Sequence, residues 1–147
     1  MKLFGTLFVI IFSFMIASCG SDDNSTSPQV SILKGTWSDS TKINNESLSI
    51  KLSLDENNGI ISGSGDISYI ENSGSTLRAF SFKNSASGTF QNKDVVVNVI
   101  FAESKFTFTG KLSNDNSTMS GTATMAIKNN PPFGDATHTF NMNLKKK

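Results

Sequence analysis

Residue types that perform acid–base, nucleophilic or metal chemistry are scarce in this sequence. Its 147 residues include one histidine, His138, and one cysteine, Cys19. A serine nucleophile needs a base beside it, and the sequence has no G-x-S-x-G elbow, the nearest match being Gly63-Ser64-Gly65. A zinc site would have to consist mostly of carboxylates, which is rare for zinc. We therefore expect a protein that is not an enzyme and that holds neither a metal nor a cofactor.

Cys19 follows a hydrophobic leader. Lys2 supplies a positive charge, residues 3–16 are almost uninterruptedly apolar, and the small residues Ala17 and Ser18 come directly before the cysteine. An apolar stretch of this length with a small-residue exit predicts a signal peptide that is removed, not a membrane span.

The four residues Ile16-Ala17-Ser18-Cys19 resemble the lipobox of bacterial lipoproteins at every position. The resemblance implies that residues 1–18 are cleaved, that the Cys19 sulfur carries fatty acyl chains such as palmitate, and that the new amine is acylated. Two or more acyl chains anchor a protein stably to a membrane, and Cys19 would then offer no free thiol. The alternative is an ordinary secretory signal with a chance cysteine.

Residues 19–30 predict a lipidated N-terminus and a flexible tether, because residues 20–29 are polar and include Pro28. Asp22-Asp23 resembles the acidic export signal of surface lipoproteins in the Bacteroidetes. In enterobacterial lipoproteins an aspartate directly after the cysteine is the signal for retention in the inner membrane. The residue at that position here is Gly20, which argues against such retention. The resemblance implies the outer membrane, with outward display favoured over a periplasmic orientation.

Asp39-Ser40-Thr41 resembles an O-glycosylation site of the same bacteria, and modification of Ser40 stays open.

Composition excludes one class of partner. Without Lys2 the chain has twelve basic and twelve acidic residues, so it lacks the positive surface that nucleic-acid binding requires. The one basic cluster, Lys145-Lys146-Lys147, is expected to be a solvated tail. Residues 31–147 have the size of a single domain. The sequence identifies no protein partner.

From Ile32 onward the hydrophobic pattern alternates with a period of two, broken every 8–12 residues by Asn, Gly, Ser and Asp. This pattern predicts an all-β, antiparallel up-and-down meander. Asn58-Gly59 suits a hairpin turn. We expect two short strands, 77–83 and 85–91, on either side of Asn84-Ser85. Residues 94–102 are apolar on both faces, which predicts either the most buried strand or a strand that crosses a covered patch.

A short glycine motif distinguishes a barrel from a sandwich. It occurs at residues 61–64, 86–89 and 119–122, and in a looser form at 108–111. Glycine inside a strand indicates a bend or a close approach of another group, and closed barrels need such bends. The motif favours a closed barrel of about eight strands over the alternative, an open β-sandwich.

Gly35-Thr36-Trp37 resembles the first-strand motif of lipocalins and other calycin barrels. The resemblance implies a lipocalin-like barrel over residues 31–147, of unassigned function, in which Trp37 closes one end. It also implies a basic residue near the end of the last strand that packs over the tryptophan, and Lys145 is the candidate here. The T-D-Y motif and the final helix of that family are missing.

A barrel of this size holds either side chains or one compact ligand. We expect a small apolar or amphipathic ligand, with Phe80, Phe82 and Phe101 among the apolar walls and His138 on the same strand face as Phe140. The predicted ligand-binding residues are Trp37, Tyr69, Phe106, Phe108, Met125, His138 and Phe140. The same residues fit a solid core, which leaves a structural or protein-interaction role that uses Phe133 and the strand edges. An enzyme would require carboxylates clustered with His138 in one cleft.

Overall fold

Eight antiparallel strands follow one another along the chain in the computed structural model, which describes residues 31–74, 76–128 and 135–147. The strands are β1 (Gly35–Ile43), β2 (Glu46–Asn57), β3 (Ile60–Ser73), β4 (Thr76–Gln91), β5 (Asp94–Phe101), β6 (Ser104–Leu112), β7 (Thr118–Ile127) and β8 (Ala136–Lys146). Each strand pairs with the next, and β8 pairs with β1. The predicted closed up-and-down barrel is therefore confirmed, and the sandwich alternative is wrong.

Alternation along each strand places one set of side chains inside the barrel. In β2, Leu48, Ile50, Leu52 and Leu54 are buried, while the residues between them are exposed. Burying each such side chain contributes about 1.5–3 kcal/mol relative to leaving it in water. The interior is therefore one continuous apolar core.

The two ends of the barrel differ. At the closed end lie residues 31–34, the turn at Asn58 and Gly59, and the turns after β4 and β6. Asn58 and Gly59 have φ angles of 51° and 79°, as a two-residue hairpin turn requires. Strands β1, β3, β5 and β7 all end at the opposite, open end.

Trp37 seals the closed end. Its side chain is fully buried, and its Nε1 atom donates a hydrogen bond of 2.8 Å to the Leu33 carbonyl. The Lys146 Nζ atom lies 5.3 Å from the centre of the tryptophan ring. Lys145 was the wrong candidate for this position, because it pairs with Ser38, whereas Lys146 pairs with Trp37 itself.

The C-terminal lysines are also not a solvated tail. Strand β8 continues through Lys146, and the Lys147 amide donates a 2.9 Å hydrogen bond to the Thr36 carbonyl. Pairing with the first strand therefore fixes the position of the backbone here.

Two strand predictions need correction. Residues 76–91 form one strand, because β3 pairs with β4 without interruption, through Gly65 with Asn84 and Ser64 with Ser85. The continuous ladder overrides the local turn preference of Asn84-Ser85. Strand β5 buries only one face, and Phe101 at its end is 50% exposed. In the part of the chain that the structure describes, no second layer covers the outer face of the barrel.

Glycines allow close approach between strands. A Cβ atom on Gly88 would lie 1.8 Å from the Val96 carbonyl oxygen, and one on Gly63 would lie 1.9 Å from that of Ser53. Gly121 would meet the Thr109 oxygen at 2.2 Å. At the glycine of each of these three motifs, a backbone oxygen of the neighbouring strand lies where a Cβ atom would be. The predicted close approach is therefore confirmed.

Two seams of the barrel are short. Strand β1 pairs with β8 at Trp37 and Ser38 only, and β4 pairs with β5 only from Ala86 to Gln91. Both ladders lie toward the closed end, so the strands part toward the open end. A side chain bridges each parting: Asp39 Oδ2 accepts a 2.7 Å hydrogen bond from the Asn143 amide, and Asn84 Nδ2 donates to the Ile100 carbonyl.

Candidate functional site

The parting of β4 from β5 opens a pocket of about 410 Å³ at the open end. This mouth pocket is lined by Phe80, Ser81, Phe82, Phe101, Ala102, Glu103, Ser104, Met125, Ile127 and Lys128. Its wall is apolar because inward-facing residues of β4 and β7 form it, and the Phe82 and Phe101 rings stack at 5.4 Å. Its size falls within the range of about 300–1,000 Å³ typical of small-molecule sites.

Charged and polar side chains lie on the inward face of neighbouring strands at the same end. We call Glu46, Tyr69, Glu71, Arg78 and His138 the rim network. The register pairs Glu46 with Glu71 and Glu71 with Arg78, so three strands bring these side chains to one level. Strand β8 contributes His138 from across the barrel.

Short contacts connect the rim network. The His138 Nδ1 atom lies 3.1 Å from Glu46 Oε2, and Arg78 Nη1 lies 3.1 Å from Glu71 Oε2. The Tyr69 hydroxyl is 3.2 Å from His138 and donates a hydrogen bond of 3.4 Å to Glu71 Oε2. Each carboxylate therefore has a basic side chain beside it.

Burial raises the pKa of the Tyr69 phenol well above its ordinary value of 10.0, and the charges of Glu46 and Glu71 raise it further. The phenol is therefore a neutral hydrogen-bond donor at physiological pH. The Tyr69 ring lies 6.2 Å from that of Phe80, which lines the mouth pocket. The rim network and the apolar wall thus form adjacent parts of one mouth.

The seven predicted ligand-binding residues occupy three regions. Tyr69, His138 and Phe140 are in contact beside the mouth, with the Tyr69 ring 4.8 Å from His138 and 6.2 Å from Phe140. Met125 lines the mouth pocket and pairs with both Phe106 and His138 in the ladders. The other residues lie deeper: Phe106 and Phe108 in the core, and Trp37 at the closed end.

Phe80, Phe82 and Phe101, expected as apolar walls, line the mouth pocket. Sequence reasoning missed Glu46 and Glu71. A signal was present, because Glu46 comes two residues before the inward-facing Leu48, and Glu71 two residues after Tyr69. A charged residue at an inward position near a strand end marks the rim of a barrel.

Two further sequence predictions concern metal sites and glycosylation. No group of three or more His, Cys, Asp or Glu side chains in residues 31–74, 76–128 and 135–147 is placed to bind a metal ion. Ser40 is exposed on β1, and its amide donates a hydrogen bond to the Asp39 carboxylate. Cys19 with its lipobox, and Phe133, lie outside the described residues.

Over the described ranges no helix is long and apolar enough to cross a membrane. Comparison of the chain with known protein families, with curated proteins and with solved structures finds no match. The functional assignment therefore depends on the geometry of the mouth and on the sequence motifs.

Proposed function

We propose that this protein is a bacterial outer-membrane lipoprotein, anchored through Cys19, whose barrel binds a small amphipathic molecule at its mouth without transforming it. The observation that carries the proposal is the mouth pocket of about 410 Å³, with an apolar wall directly beside the rim network. The anchor and the location follow from the lipobox resemblance.

The mouth offers two kinds of surface to one ligand. Phe82, Met125 and Ile127 form an apolar wall that is almost fully buried, and the Phe101 ring at the same pocket is 50% exposed. A ligand that covers this ring would gain about 25 cal/mol for each Å² removed from water. The rim network offers polar atoms at Glu46 and His138, whose side chains are 31% and 13% exposed. An amphipathic molecule would place its apolar part against the wall and its polar part at the rim.

The rim network also meets the condition for an enzyme, since Glu46 and Glu71 cluster with His138. We favour binding because the phenol of Tyr69 is held neutral and buried, which makes it a poor base or nucleophile, and because Arg78 pairs with Glu71. Conversion of a bound compound by the wild type, lost in His138→Gln, would support an acid–base enzyme instead.

The test of binding is native mass spectrometry on residues 20–147, purified gently from the native host. We expect an excess mass that is lost on denaturation. Phe101→Ser should reduce the fraction that carries this mass, because it removes part of the pocket wall. Ile100→Ser is the matched control, since Ile100 is similarly exposed, at 54%, but faces outward. A bare mass for the wild type, or equal loss in both variants, would contradict the proposal.

The anchor needs its own test. Cys19→Ala should move the protein from the detergent phase to the aqueous phase in a phase-partition experiment on cells. Retention in the detergent phase would show that another feature holds the protein to the membrane.

A structural or protein-interaction role is the second candidate. Leu77 and Ile70 lie on the outer face of neighbouring strands near the open end and are 66% and 41% exposed. Exposed apolar side chains of this kind mark contact surfaces when they are contiguous. Crosslinking on intact cells should then yield an envelope protein whose recovery falls with Leu77→Ser, relative to a control that carries only the lipobox and tether.

A further inference from the structure

Three exposed lysines converge on the outer surface of the short β1–β8 seam. Ser38 of β1 pairs with Lys51 on one side and with Lys145 on the other, so the two lysines flank it on the same face. Lys147 completes the group. We call this surface the basic seam face, and it is lined by Ser38, Asp39, Ser40, Ser49, Ile50, Lys51, Lys145 and Lys147 around a shallow pocket of about 440 Å³.

The lysines of the basic seam face have no salt-bridge partner among the described residues. Elsewhere Lys111 pairs with Asp94 at 3.1 Å, but within the described part of the chain Lys51, Lys145 and Lys147 form no salt bridge. Two acidic residues lie close by. The Asp39 carboxylate accepts hydrogen bonds from the backbone amides of Ser40 and Asn143 and is thereby directed into the seam.

Asp66 is the second acidic neighbour, since it pairs with Lys51 in the β2–β3 ladder. It flanks the basic seam face from one side, and the two side chains do not form a salt bridge. Three ammonium groups and the hydroxyl groups of Ser38, Ser40 and Ser49 therefore present an array of donors to an anion. Phosphate groups are suited to such an array, because ammonium groups attract them as point charges.

The basic seam face lies near the point where the chain enters the barrel. The Ser31 hydroxyl accepts a 3.0 Å hydrogen bond from the Glu56 amide at the closed end, and Lys146 Nζ donates one of 2.9 Å to the Ile32 carbonyl. The segment from Cys19 to Ser31 can extend at most about 40 Å, at roughly 3.5 Å per residue. A lipid on Cys19 would therefore keep Ser31, at the closed end, within about 40 Å of the membrane.

We infer that the basic seam face docks on the phosphate-bearing headgroups of the membrane that holds the anchor, with the mouth pointing away from it. This orientation rests on the proposed anchor, whereas the affinity of the face for anionic lipid does not. Each lysine near an anionic surface contributes about 1 kcal/mol, which is about a fivefold change in partitioning. Three lysines together should therefore change the partition coefficient about a hundredfold.

The test uses residues 20–147 without the lipid, because the complete barrel and its core fall within this segment. Sedimentation with vesicles should show binding to phosphatidylcholine mixed with phosphatidylglycerol, little binding to phosphatidylcholine alone, and release at raised salt. The triple variant Lys51→Gln, Lys145→Gln, Lys147→Gln should bind about a hundredfold more weakly. The control triple Lys42→Gln, Lys105→Gln, Lys111→Gln changes the net charge equally at exposed lysines outside this face and should stay within a fewfold of the wild type.

Three outcomes would overturn the inference. The first is failure of the wild type to bind the anionic vesicles. The second is an equal loss of affinity in both triple variants, which would show an effect of net charge alone. Release by inorganic phosphate, but not by chloride at the same ionic strength, would show a site for a soluble anion rather than a membrane contact. Failure of the anchor would appear separately, in the partition of Cys19→Ala, and would leave the vesicle result unchanged.

Discussion

The Tyr69 hydroxyl lies 3.2 Å from ring nitrogens of His138, and the centres of the two rings are 4.8 Å apart. This contact joins β3 to β8, which are not neighbours in the barrel. The contact of His138 with Glu46 extends this connection to β2. It lies at the open end of the barrel, where β1 and β8 are not paired. Polar side chains thus hold the mouth together where backbone hydrogen bonds do not.

The phenol of Tyr69 should resist ionisation in the native state. Its pKa is raised by burial and by the charges of Glu46 and Glu71. Because Tyr69 is the only tyrosine, absorbance at 295 nm reports on this phenol alone. We expect no phenolate signal near pH 10 in the folded protein and a normal titration in urea. A native midpoint near 10 would contradict the buried position of the hydroxyl.

The same group should make stability depend on pH in the alkaline range. The folded protein keeps the phenolic proton where the unfolded chain releases it, so this contribution is complete below about pH 10 and is lost as the pH rises further. The free energy of unfolding of the wild type should therefore fall from about pH 10 upward, and that of Tyr69→Phe should fall less steeply. At neutral pH the variant should lose about 1 kcal/mol through its missing hydrogen bond.

Asp115 provides a contrasting case in the acid range. Hydrogen bonds from the hydroxyls of Ser113 and Ser117 and from the Ser117 amide lower the pKa of its carboxyl from 3.8 to about 2. Its contribution to stability is present above about pH 4 and is lost as the pH falls through the native value. NMR titration should give a midpoint near 2, and Ser113→Ala should move it toward the ordinary value. An unchanged midpoint in that variant would contradict the assigned cause.

A methyl group at Gly88 should be costly. Its Cβ would lie 1.8 Å from the Val96 carbonyl oxygen, which belongs to the backbone and cannot move without separating β4 from β5. Overpacking of this kind costs about 1–3 kcal/mol and occasionally more. Urea denaturation of Gly88→Ala should show at least that loss, whereas Ser87→Ala, at the exposed neighbouring position, should change stability by less than about 0.5 kcal/mol.

These glycines illustrate which features of the fold could be predicted from the sequence. The period of two predicted the antiparallel meander, and glycine inside the strands indicated close approach, because both are local features of the sequence. The predicted break at Asn84-Ser85 was wrong, because pairing with β3 keeps the strand continuous through these two residues. No local pattern reveals how far two strands stay paired.

The mouth was partly predictable for the same reason. The apolar walls at Phe80, Phe82 and Phe101 followed from alternation. The pocket itself arises because the β4–β5 ladder stops at Ala86 and Val99, and the alternation within these two strands does not show where their pairing ends. The pairing of His138 with Glu46 joins residues 92 positions apart, and sequence periodicity contains no information about such a contact.

Asp39 should stabilise the seam between β1 and β8. Its Oδ2 atom takes the hydrogen bond of the Asn143 amide just where the two-pair ladder ends. Asp39→Ala should cost about 0.5–1.5 kcal/mol, since it removes the hydrogen bond of that exposed amide, and hydrogen exchange at Asn143 should become faster. Asp39→Asn keeps a side-chain oxygen and should retain most of the protection. Equal exchange rates in the wild type and Asp39→Ala would contradict the bridging role.

Lys146 should stabilise the closed end by more than its charge alone. Its ammonium group contacts the Trp37 ring and donates a hydrogen bond to the Ile32 carbonyl, so it connects β8 to the segment that precedes β1. Lys146→Met keeps the apolar stem but removes both interactions, and we expect a loss of about 1–2 kcal/mol. Trp37 is the only tryptophan, so its fluorescence reports directly on unfolding in urea.

Lys145→Met, on the opposite face of the same strand, is the matched control and should change stability by less than about 0.5 kcal/mol. Equal effects of the two substitutions would mean that the position on the strand, and not the contact with Trp37, accounts for the stability.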